Sequence, residues 1–250
     1  MNRFARVQQL LGEEAFKKIR ASRIAIFGLG GVGSYVCENL ARSGVGTLRL
    51  IDVDTTGITN MNRQLLALGS TLGEAKVASA RDRILDINPE CHVEVWQVLA
   101  SAENLQDLLT PEVDIIVDAI DSITSKVALI KYAVDRAIPV ITSLGAGGRT
   151  DLSQIRRGDI SESRNCRLAK VLRKMLHRVG IYEGVRCVYS LEPARNQLPF
   201  RPEDADPPKE NCRMIPPIGT MPYLPAAFGL HVVQEVMEKI LGLQIHQSYQ

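Results

Sequence analysis

The sequence predicts an α/β fold, in which a mostly parallel sheet is covered by helices on both faces. Two observations support this prediction: Val/Ile-rich runs alternate with longer amphipathic segments from residue 22 to about 143, and a glycine-rich loop follows the first run. A chain of 250 residues can bury a full hydrophobic core without disulfides. The alternation stops after Ser143, so we expect a smaller C-terminal extension.

The predicted elements follow one another in strand–helix order after a helical segment, 4–19, that Gly12 interrupts. The spacing of apolar residues assigns each element. The predicted strands are 23–27, 47–51, 92–98, 114–118 and 138–142, and the predicted helices between them are 32–42, 73–87, 102–109 and 125–136.

The second half has a different pattern. After a glycine-rich turn at 145–148 we expect strands at 154–157 and 185–191, and a final helix from about Pro225. Segment 196–217 is rich in proline and charge, which predicts a mobile loop. We therefore expect one domain, 1–250, with a core at 20–145 and an extension at 146–250. A helix between the two late strands has a predicted apolar stripe of Leu168, Val171, Leu172, Met175 and Val179.

Charge and cysteine content exclude several classes of protein. The net charge is +2, so contact with nucleic acid would need a local basic patch. No two of the five cysteines lie within four residues of each other, which excludes a CxxC zinc knuckle and argues against a secreted disulfide framework. No signal pattern or membrane-spanning apolar run is visible, so we expect a cytoplasmic protein with no integral membrane segment. Only Cys166 and Cys212 lie in segments expected to be exposed, and nothing beside either one predicts a reactive thiol.

The loop at 28–33 predicts a site for a nucleotide phosphate. Glycines at its first, third and sixth positions, Gly28, Gly30 and Gly33, let backbone approach a phosphate and direct a helix N-terminus at it. Asp52 ends the next apolar run, near the spacing expected for a carboxylate that holds a ribose hydroxyl. The alternative is a tight glycine-rich turn without a ligand. The loop by itself does not distinguish NAD from ATP.

Three cations, Arg6, Arg63 and Lys76, favour ATP. Each cation alone is more simply explained as a solvated surface charge, but together they supply the positive charge that a bound triphosphate needs. Arg, Lys and usually Mg²⁺ must position the phosphates before an anionic carboxylate can attack a phosphorus atom. Asp121, near the end of the fourth predicted strand, would lie at the ligand crevice and could hold Mg²⁺. The alternative for Asp121 is a cap of the helix that begins near Ile123, and the residues alone do not decide between them.

These motifs resemble the MoeB/ThiF/HesA superfamily of adenylating enzymes, which are relatives of the ubiquitin-activating enzymes. The resemblance covers about the first 145 residues and implies a Rossmann-like, ATP-binding core. The matching stretches are 3–6, 28–34, 43–46, 52–54, 59–64, 73–76, 87–89 and 118–121.

The resemblance also implies roles for individual residues. Arg63 and Lys76 would hold the triphosphate, and Asp121 would lie on the side of Mg²⁺ and the reacting carboxylate. Arg6 would reach into the site of a partner subunit, which implies a homodimer. The implied nucleotide-binding residues are Gly28, Gly30, Gly31, Gly33, Asp52, Asp54, Asn60, Arg63 and Lys76.

The second half resembles, less specifically, the branch of this superfamily that acts on threonylcarbamoyladenosine in tRNA. The two CxxC pairs of the sulfur-carrier activators are missing, which favours this branch. One departure is Asn165-Cys166-Arg167-Leu168, where members of the branch usually read Asp-Pro-Leu. The helix that follows is basic, and either tRNA phosphates or solvent would cover its charged face. The candidate tRNA-binding residues on it are Arg167, Lys170, Arg173, Lys174 and Arg178.

The resemblance implies that the protein uses ATP and Mg²⁺ to activate the carboxylate of threonylcarbamoyladenosine beside the anticodon, which then cyclises with loss of water. Carbonyl groups at 145–148 offer a site for a monovalent cation, Na⁺ or K⁺. A sulfur-transfer protein of a cysteine desulfurase system is a further partner that the resemblance allows. Two alternatives remain: adenylation of the C-terminus of a ubiquitin-like or sulfur-carrier protein, and an NAD-dependent oxidoreductase or nucleotide-sensing binding protein.

Overall fold

The computed structural model describes residues 2–199 and 218–242. Within them, one sheet has the strand order β3-β2-β1-β4-β5-β7-β6. The strands are β1 Arg23–Phe27, β2 Thr47–Ile51, β3 His92–Trp96, β4 Ile115–Asp118, β5 Val140–Ser143, β6 Ile155–Asp159 and β7 Arg186–Ser190. The helices are α1 Ala5–Leu11, α2 Glu13–Ala21, α3 Gly33–Arg42, α4 Lys76–Ile87, α5 Leu105–Leu108, α6 Ile123–Asp135, α7 Arg167–Arg178 and α8 Tyr223–Leu241.

The strand order places the candidate site. All neighbouring strands are parallel except β6, which runs antiparallel to β7. The chain leaves β1 toward β2 on one side, while β4 lies on the other side of β1. The carboxyl ends of β1 and β4 therefore flank the crevice in which doubly wound sheets bind ligands.

Two hydrophobic layers sandwich this sheet. Ile24 and Ile26 of β1 face a layer built from α2, α3, α4 and α8, and the alternate residues Ala25 and Phe27 face a layer built from α5, α6 and α7. Successive strand residues point to opposite faces, so fully buried strands are apolar throughout. The predicted α/β fold with helices on both faces is confirmed.

The boundaries show where sequence patterns are less informative. Strands 23–27 and 47–51 match the predicted ranges, but the helix predicted at 73–87 begins at Lys76, and the one predicted at 102–109 spans only Leu105–Leu108. Strands β6 and β7 continue the main sheet, so part of the predicted extension joins it. Of the loop predicted at 196–217, residues 200–217 lie outside the described residues, as does Cys212.

Two predictions about the region around α7 were wrong. Val171 and Val179 are exposed, and the buried face consists of Ala169, Leu172 and Leu176. Val179 lies just beyond the end of the helix, so helical periodicity does not apply to it. Cys166, expected to be exposed, is only 8% exposed, and its Sγ accepts a hydrogen bond from the Ala169 N–H at 3.4 Å.

Candidate active site

The loop after β1 is shaped by close backbone contacts that only glycine permits. Gly28 has a φ of +87°, and a Cβ there would lie 2.7 Å from the carbonyl oxygen of Ala119. A Cβ at Gly33 would lie 1.8 Å from the carbonyl oxygen of Gly28. These two glycines therefore bring the loop against the segment that follows β4 and turn it sharply into α3.

The other part of this loop presents unpaired backbone donors. The N–H groups of Gly30, Gly31 and Val32 have no protein acceptor in the described part of the chain. They lie at the N-terminus of α3, where the helix dipole favours negative charge. Of the described residues, a Cβ at Gly30 would approach Gln64 Nε2 alone, at 3.8 Å, so these residues leave the space beside it open. This combination fits a phosphate group.

Asp52 closes one side of the loop. One of its carboxylate oxygens accepts the Leu29 N–H at 2.6 Å, and the other accepts the Asp54 N–H at 2.8 Å. Burial raises the pKa of the Asp52 carboxyl above its usual range, and the positive charge of Lys76 partly opposes that rise. Each carboxylate oxygen keeps a further lone pair, so Asp52 could also accept a hydrogen bond from a sugar hydroxyl.

Lys76 is brought to Asp54 by a short antiparallel contact between two loops. Thr55 and Ala75 form an isolated β-bridge, and the Lys76 N–H donates to the Asp54 carbonyl at 3.1 Å. As the first residue of α4, Lys76 is 4% exposed, and its Nζ lies 3.2 Å from Asp54 Oδ2. The structure thus places Asp52, Asp54 and Lys76 together at the carboxyl end of β2.

Asn60 and Arg63 lie on a turn beside the glycine loop. The side-chain oxygen of Asn60, a buried residue, accepts the Gly57 N–H at 3.1 Å. Arg63 donates to the Thr59 carbonyl at 2.8 Å, and its own carbonyl oxygen lies 3.5 Å from the position of a Cβ at Gly31. This turn therefore adjoins the unpaired donors of the loop.

Asp121 lies three residues beyond β4, in the loop at the opposite side of the crevice. Its side chain is exposed and makes no hydrogen bond or ion pair with any residue that the structure describes. The N-cap of α6 is Ser122, which makes no side-chain capping bond, so the helix-cap alternative for Asp121 gains no support. The carboxylate is free to hold a cation together with phosphate oxygens.

A metal ion there would need ligands from the nucleotide. No group of three or more His, Cys, Asp or Glu side chains is placed to hold a metal within 2–199 and 218–242. Magnesium is commonly held by one or two carboxylates together with substrate phosphates and water. A single carboxylate such as Asp121 fits that kind of site.

The loop at 145–148, which the sequence offers as a monovalent-cation site, already holds a protein cation. Arg149 Nη1 donates to the carbonyls of Gly145 and Gly147, and the residue is 3% exposed. Sequence reasoning missed Arg149, because its partners come from separate parts of the chain. It also missed Lys126, which pairs with Asp118 beneath the Asp121 loop.

The basic helix α7 keeps most of its cations on the surface. Arg167, Lys170, Lys174 and Arg178 are exposed. Arg173 instead turns inward and donates to the Ser163 carbonyl at 2.6 Å. No acidic side chain forms an ion pair with α7 in the part of the chain that the structure describes.

Arg6 lies far from the other predicted site residues within one chain. It is exposed on α1, two residues after Phe4, whose ring packs on Phe16 beside Gly44. Gly44 follows the C-terminus of α3, whereas the glycine loop precedes its N-terminus, about 15 Å away along the helix. Arg6 therefore lies toward the amino ends of the parallel strands, whereas the crevice lies at their carboxyl ends.

None of the described helices is both long and apolar enough to cross a membrane.

Comparison with known proteins gives the family. The ThiF family model matches residues 2–250. The chain is 36% identical over 245 residues to the tRNA threonylcarbamoyladenosine dehydratase of Bacillus subtilis, covering 96% of each sequence. It matches the crystal structure of the E. coli tRNA N6-threonylcarbamoyladenosine dehydratase, TcdA, in complex with ATP, with a TM-score of 0.84 and 33% identity over 98% of this chain and 96% of that one. Similarity to the E. coli molybdopterin-synthase adenylyltransferase, at 36% identity, covers only 52% of this chain and 51% of that enzyme. The chain therefore belongs to the ThiF family and, within it, to the tRNA threonylcarbamoyladenosine dehydratases.

Proposed function

We propose that this protein uses ATP to activate the carboxylate of threonylcarbamoyladenosine in tRNA and so closes the modified base into a ring with loss of water. The observation that carries this proposal is the full-length match to the dehydratases. The nucleotide site alone would fit any enzyme that activates a carboxylate with ATP. The match to a carrier-protein adenylyltransferase covers about half of the chain and supports the alternative less well.

The chemistry needs no nucleophile from the protein. A carboxylate oxygen of the substrate attacks the γ- or the α-phosphorus of ATP, and ADP or pyrophosphate leaves with the negative charge of the broken P–O bond. A nitrogen of the same substrate then attacks the activated carbonyl carbon and loses its proton, and inorganic phosphate or AMP, respectively, departs with the former carboxylate oxygen. Because nucleophile and electrophile belong to one molecule, positioning supplies much of the rate. The burial of all four described cysteines agrees with this scheme.

We assign a separate role in this chemistry to each site residue. Lys76 and Arg63 would stabilise the negative charge on the phosphates, and the free N–H groups of the glycine loop would hold one phosphate group. Asp52 would fix the ribose. Asp121 would hold Mg²⁺, which when bound offsets charge on the phosphate oxygens.

The partners of the reaction follow from the remaining features. We expect the exposed cations of α7 to contact tRNA phosphates. Arg6 would act in the site of a second subunit, because the crevice of its own chain lies at the opposite end of the strands. A tRNA substrate implies that the protein acts in the cytoplasm. A sulfur-transfer protein that exchanges thiols would find no exposed cysteine among the described residues.

The test is to incubate the protein with ATP, Mg²⁺ and tRNA that carries threonylcarbamoyladenosine, and to weigh the nucleosides after digestion. The proposal expects loss of the mass of one water, dependent on both ATP and protein. An unchanged nucleoside mass would overturn it. Pyrophosphate exchange that depends on a carrier protein would favour the adenylation alternative, and preference for NAD over ATP would favour the oxidoreductase.

Replacing Lys76 tests the role of this residue in the site while the fold is kept. Lys76→Met removes the ammonium beside Asp54 and is expected to reduce the dehydration rate by about 10²–10³-fold, the usual cost of a lost charge-stabilising group. Lys131→Met is the matched control, because Lys131 is half-exposed on α6 and its one ion pair with a described residue is to Asp135, one turn away. Circular dichroism should show both variants folded. Full activity of Lys76→Met would contradict the role assigned to Lys76.

A further inference from the structure

Arg149 is a buried guanidinium surrounded by carbonyl groups. Four of its five N–H groups reach backbone oxygens. Besides Gly145, the acceptors are Gly147 at 3.0 Å, Glu192 at 2.8 Å and Asn165 at 3.0 Å. The residue is 3% exposed. A guanidinium normally stays at the surface or pairs with an anion, since moving a bare charge away from water is costly.

No carboxylate in the described part of the chain neutralises this charge. Across the described ranges 2–199 and 218–242, no Asp or Glu forms an ion pair with Arg149. The neighbouring Glu192 turns its carboxylate to the N–H groups of Thr150 at 2.9 Å and Asp151 at 2.8 Å instead. A cation held only by backbone carbonyls is the arrangement by which proteins bind monovalent metal ions. Here the side chain supplies the cation.

The four carbonyls belong to three segments that are distant in sequence. Gly145 and Gly147 lie in the loop after β5, Glu192 follows β7, and Asn165 precedes the basic helix α7. Asn165 has a φ of +53°, which is uncommon for a residue with a side chain. The guanidinium therefore fixes the loop after β5 against the entrance of α7.

The same loop continues toward the nucleotide side. The Gly148 N–H donates to the Gly219 carbonyl at 2.7 Å, and the carbonyl of the adjacent Thr220 accepts a hydrogen bond from Asn62 at 3.1 Å. Asn62 is next to Arg63 on the turn beside the glycine loop. Hydrogen bonds and the peptide units between them thus connect Arg149 both to the turn beside the nucleotide crevice and to the entrance of the basic helix.

We propose that Arg149 is an internal cation that fills the place of a monovalent ion in the 145–148 loop and acts as a positioning residue. The loop is then fixed in any salt, and the dehydration reaction requires neither Na⁺ nor K⁺. The statement about the reaction rests on the proposed function, whereas the statement about the loop does not.

The first experiment uses the unaltered protein. Its melting temperature and its dehydration rate are measured in the chlorides of K⁺, Na⁺ and tetramethylammonium at equal ionic strength, with Mg²⁺ constant. The last of these cations is too large for a carbonyl cage. The expected result is the same melting temperature and rates that agree within about twofold, since screening is matched. A melting temperature or rate that collapses in tetramethylammonium would overturn the proposal.

The second experiment removes the cation. Arg149→Ala leaves the carbonyls without donors, so its melting temperature should fall, and millimolar guanidinium or K⁺ should raise it again. Neither addition should stabilise the unaltered protein. Arg149→Lys keeps a charge and should retain more stability and activity than Arg149→Ala. Arg156→Ala is the matched control, because this arginine is exposed and its hydrogen-bond acceptors among the described residues are carbonyls of its own turn, Ser153 and Ile155.

The outcomes separate the two proposals. If Arg149→Ala behaves like Arg156→Ala, or if neither cation restores it, Arg149 is not an internal cation. Should Arg149→Ala not fold, the Arg149→Lys variant and the salt series of the unaltered protein decide the question. The melting temperatures need neither tRNA nor ATP. A protein that shows the expected melting pattern but forms no cyclic nucleoside therefore contradicts the proposed function alone.

Discussion

The ammonium of Lys126 lies 2.8 Å from Asp118 Oδ2, and both side chains are completely buried. Thr142 donates to the same oxygen at 2.7 Å, and Asp118 Oδ1 accepts the Ile120 N–H at 3.2 Å. Asp118 ends β4, one residue before the carbonyl against which Gly28 packs. This buried pair therefore sets the start of the loop that carries Asp121.

Breaking this pair should cost both stability and activity. Lys126→Met leaves Asp118 as an uncompensated buried charge, so the free energy of unfolding should fall by about 3–5 kcal/mol. Adding Asp118→Asn removes that charge and should recover part of the stability. It should not recover the dehydration rate, because the hydrogen bonds at the start of the loop that carries Asp121 remain altered. Urea unfolding and the nucleoside assay measure the two effects. Simple additivity of the two substitutions, in a double-mutant cycle, would contradict a coupled pair.

The predictable and the missed residues differ in how the sequence encodes them. Asp52, Asn60 and Lys76 sit in motifs at fixed distances from the glycine loop, so their neighbourhood was predictable. Lys126 occupies the buried stripe of α6 together with Leu129 and Ile130, and a lysine in that position was an available signal. Arg149 gives no such signal, because its carbonyl partners come from three separate segments and no pattern within a single segment predicts that they meet.

Helix α7 presents cations to solvent on one face and packs against α6 on the other. The inward turn of Arg173 to Ser163 removes it from the exposed set, so four arginine or lysine side chains remain on the surface. A phosphate that contacts such a side chain releases a bound counterion, which makes the affinity depend on salt. The helix can thus be tested separately from the nucleotide site.

Removing two of these charges should weaken tRNA binding and its salt dependence. The double variant Lys170→Ala, Lys174→Ala is expected to reduce the slope of log affinity against log salt by about 0.7–0.9 for each phosphate that the variant no longer neutralises. ATP affinity should not change. The control is Lys17→Ala, Lys18→Ala, which removes two exposed charges from α2. Equal slopes for the two double variants would mean that α7 does not bind the tRNA backbone.

The elements themselves were predictable to different degrees. Alternating apolar runs indicated every parallel strand, because buried parallel strands are apolar on both faces. The placement of β6 beside β7 was not predictable, since this antiparallel pair joins segments about thirty residues apart and α7 intervenes. The predicted stripe of α7 failed because apolar valines at 171 and 179 lie outside its buried face.

As a whole, one chain brings together every predicted nucleotide-site residue except Arg6. Arg6 lies near the amino ends of the strands, where α1 and α2 pack beside Gly44, away from the crevice. A closed dimer with twofold symmetry would place the same surfaces of both chains in contact and give each crevice a reciprocal contribution. A homodimer of this kind would bring Arg6 to the crevice of the partner subunit.

Subunit mixing tests that arrangement. Arg6→Ala and Lys76→Met should each be inactive alone, but a mixed dimer contains one site with both Lys76 and the partner's Arg6. Random exchange should recover about a quarter of the unaltered activity, because half of the dimers are mixed and each has one complete site. Light scattering verifies the dimer. Absence of recovery despite exchange would place Arg6 in the site of its own chain or outside the site altogether.

Carboxylate activation predicts the fate of one oxygen atom. The threonylcarbamoyl carboxylate is labelled with heavy oxygen, the tRNA is incubated with ATP and the protein, and the nucleotide and phosphate products are analysed by mass spectrometry. If ATP activates the carboxylate, one heavy oxygen per cyclised base appears on the phosphorus-containing product, AMP or inorganic phosphate. Cyclised base with all the lost label in water, and none on phosphorus, would contradict activation by ATP.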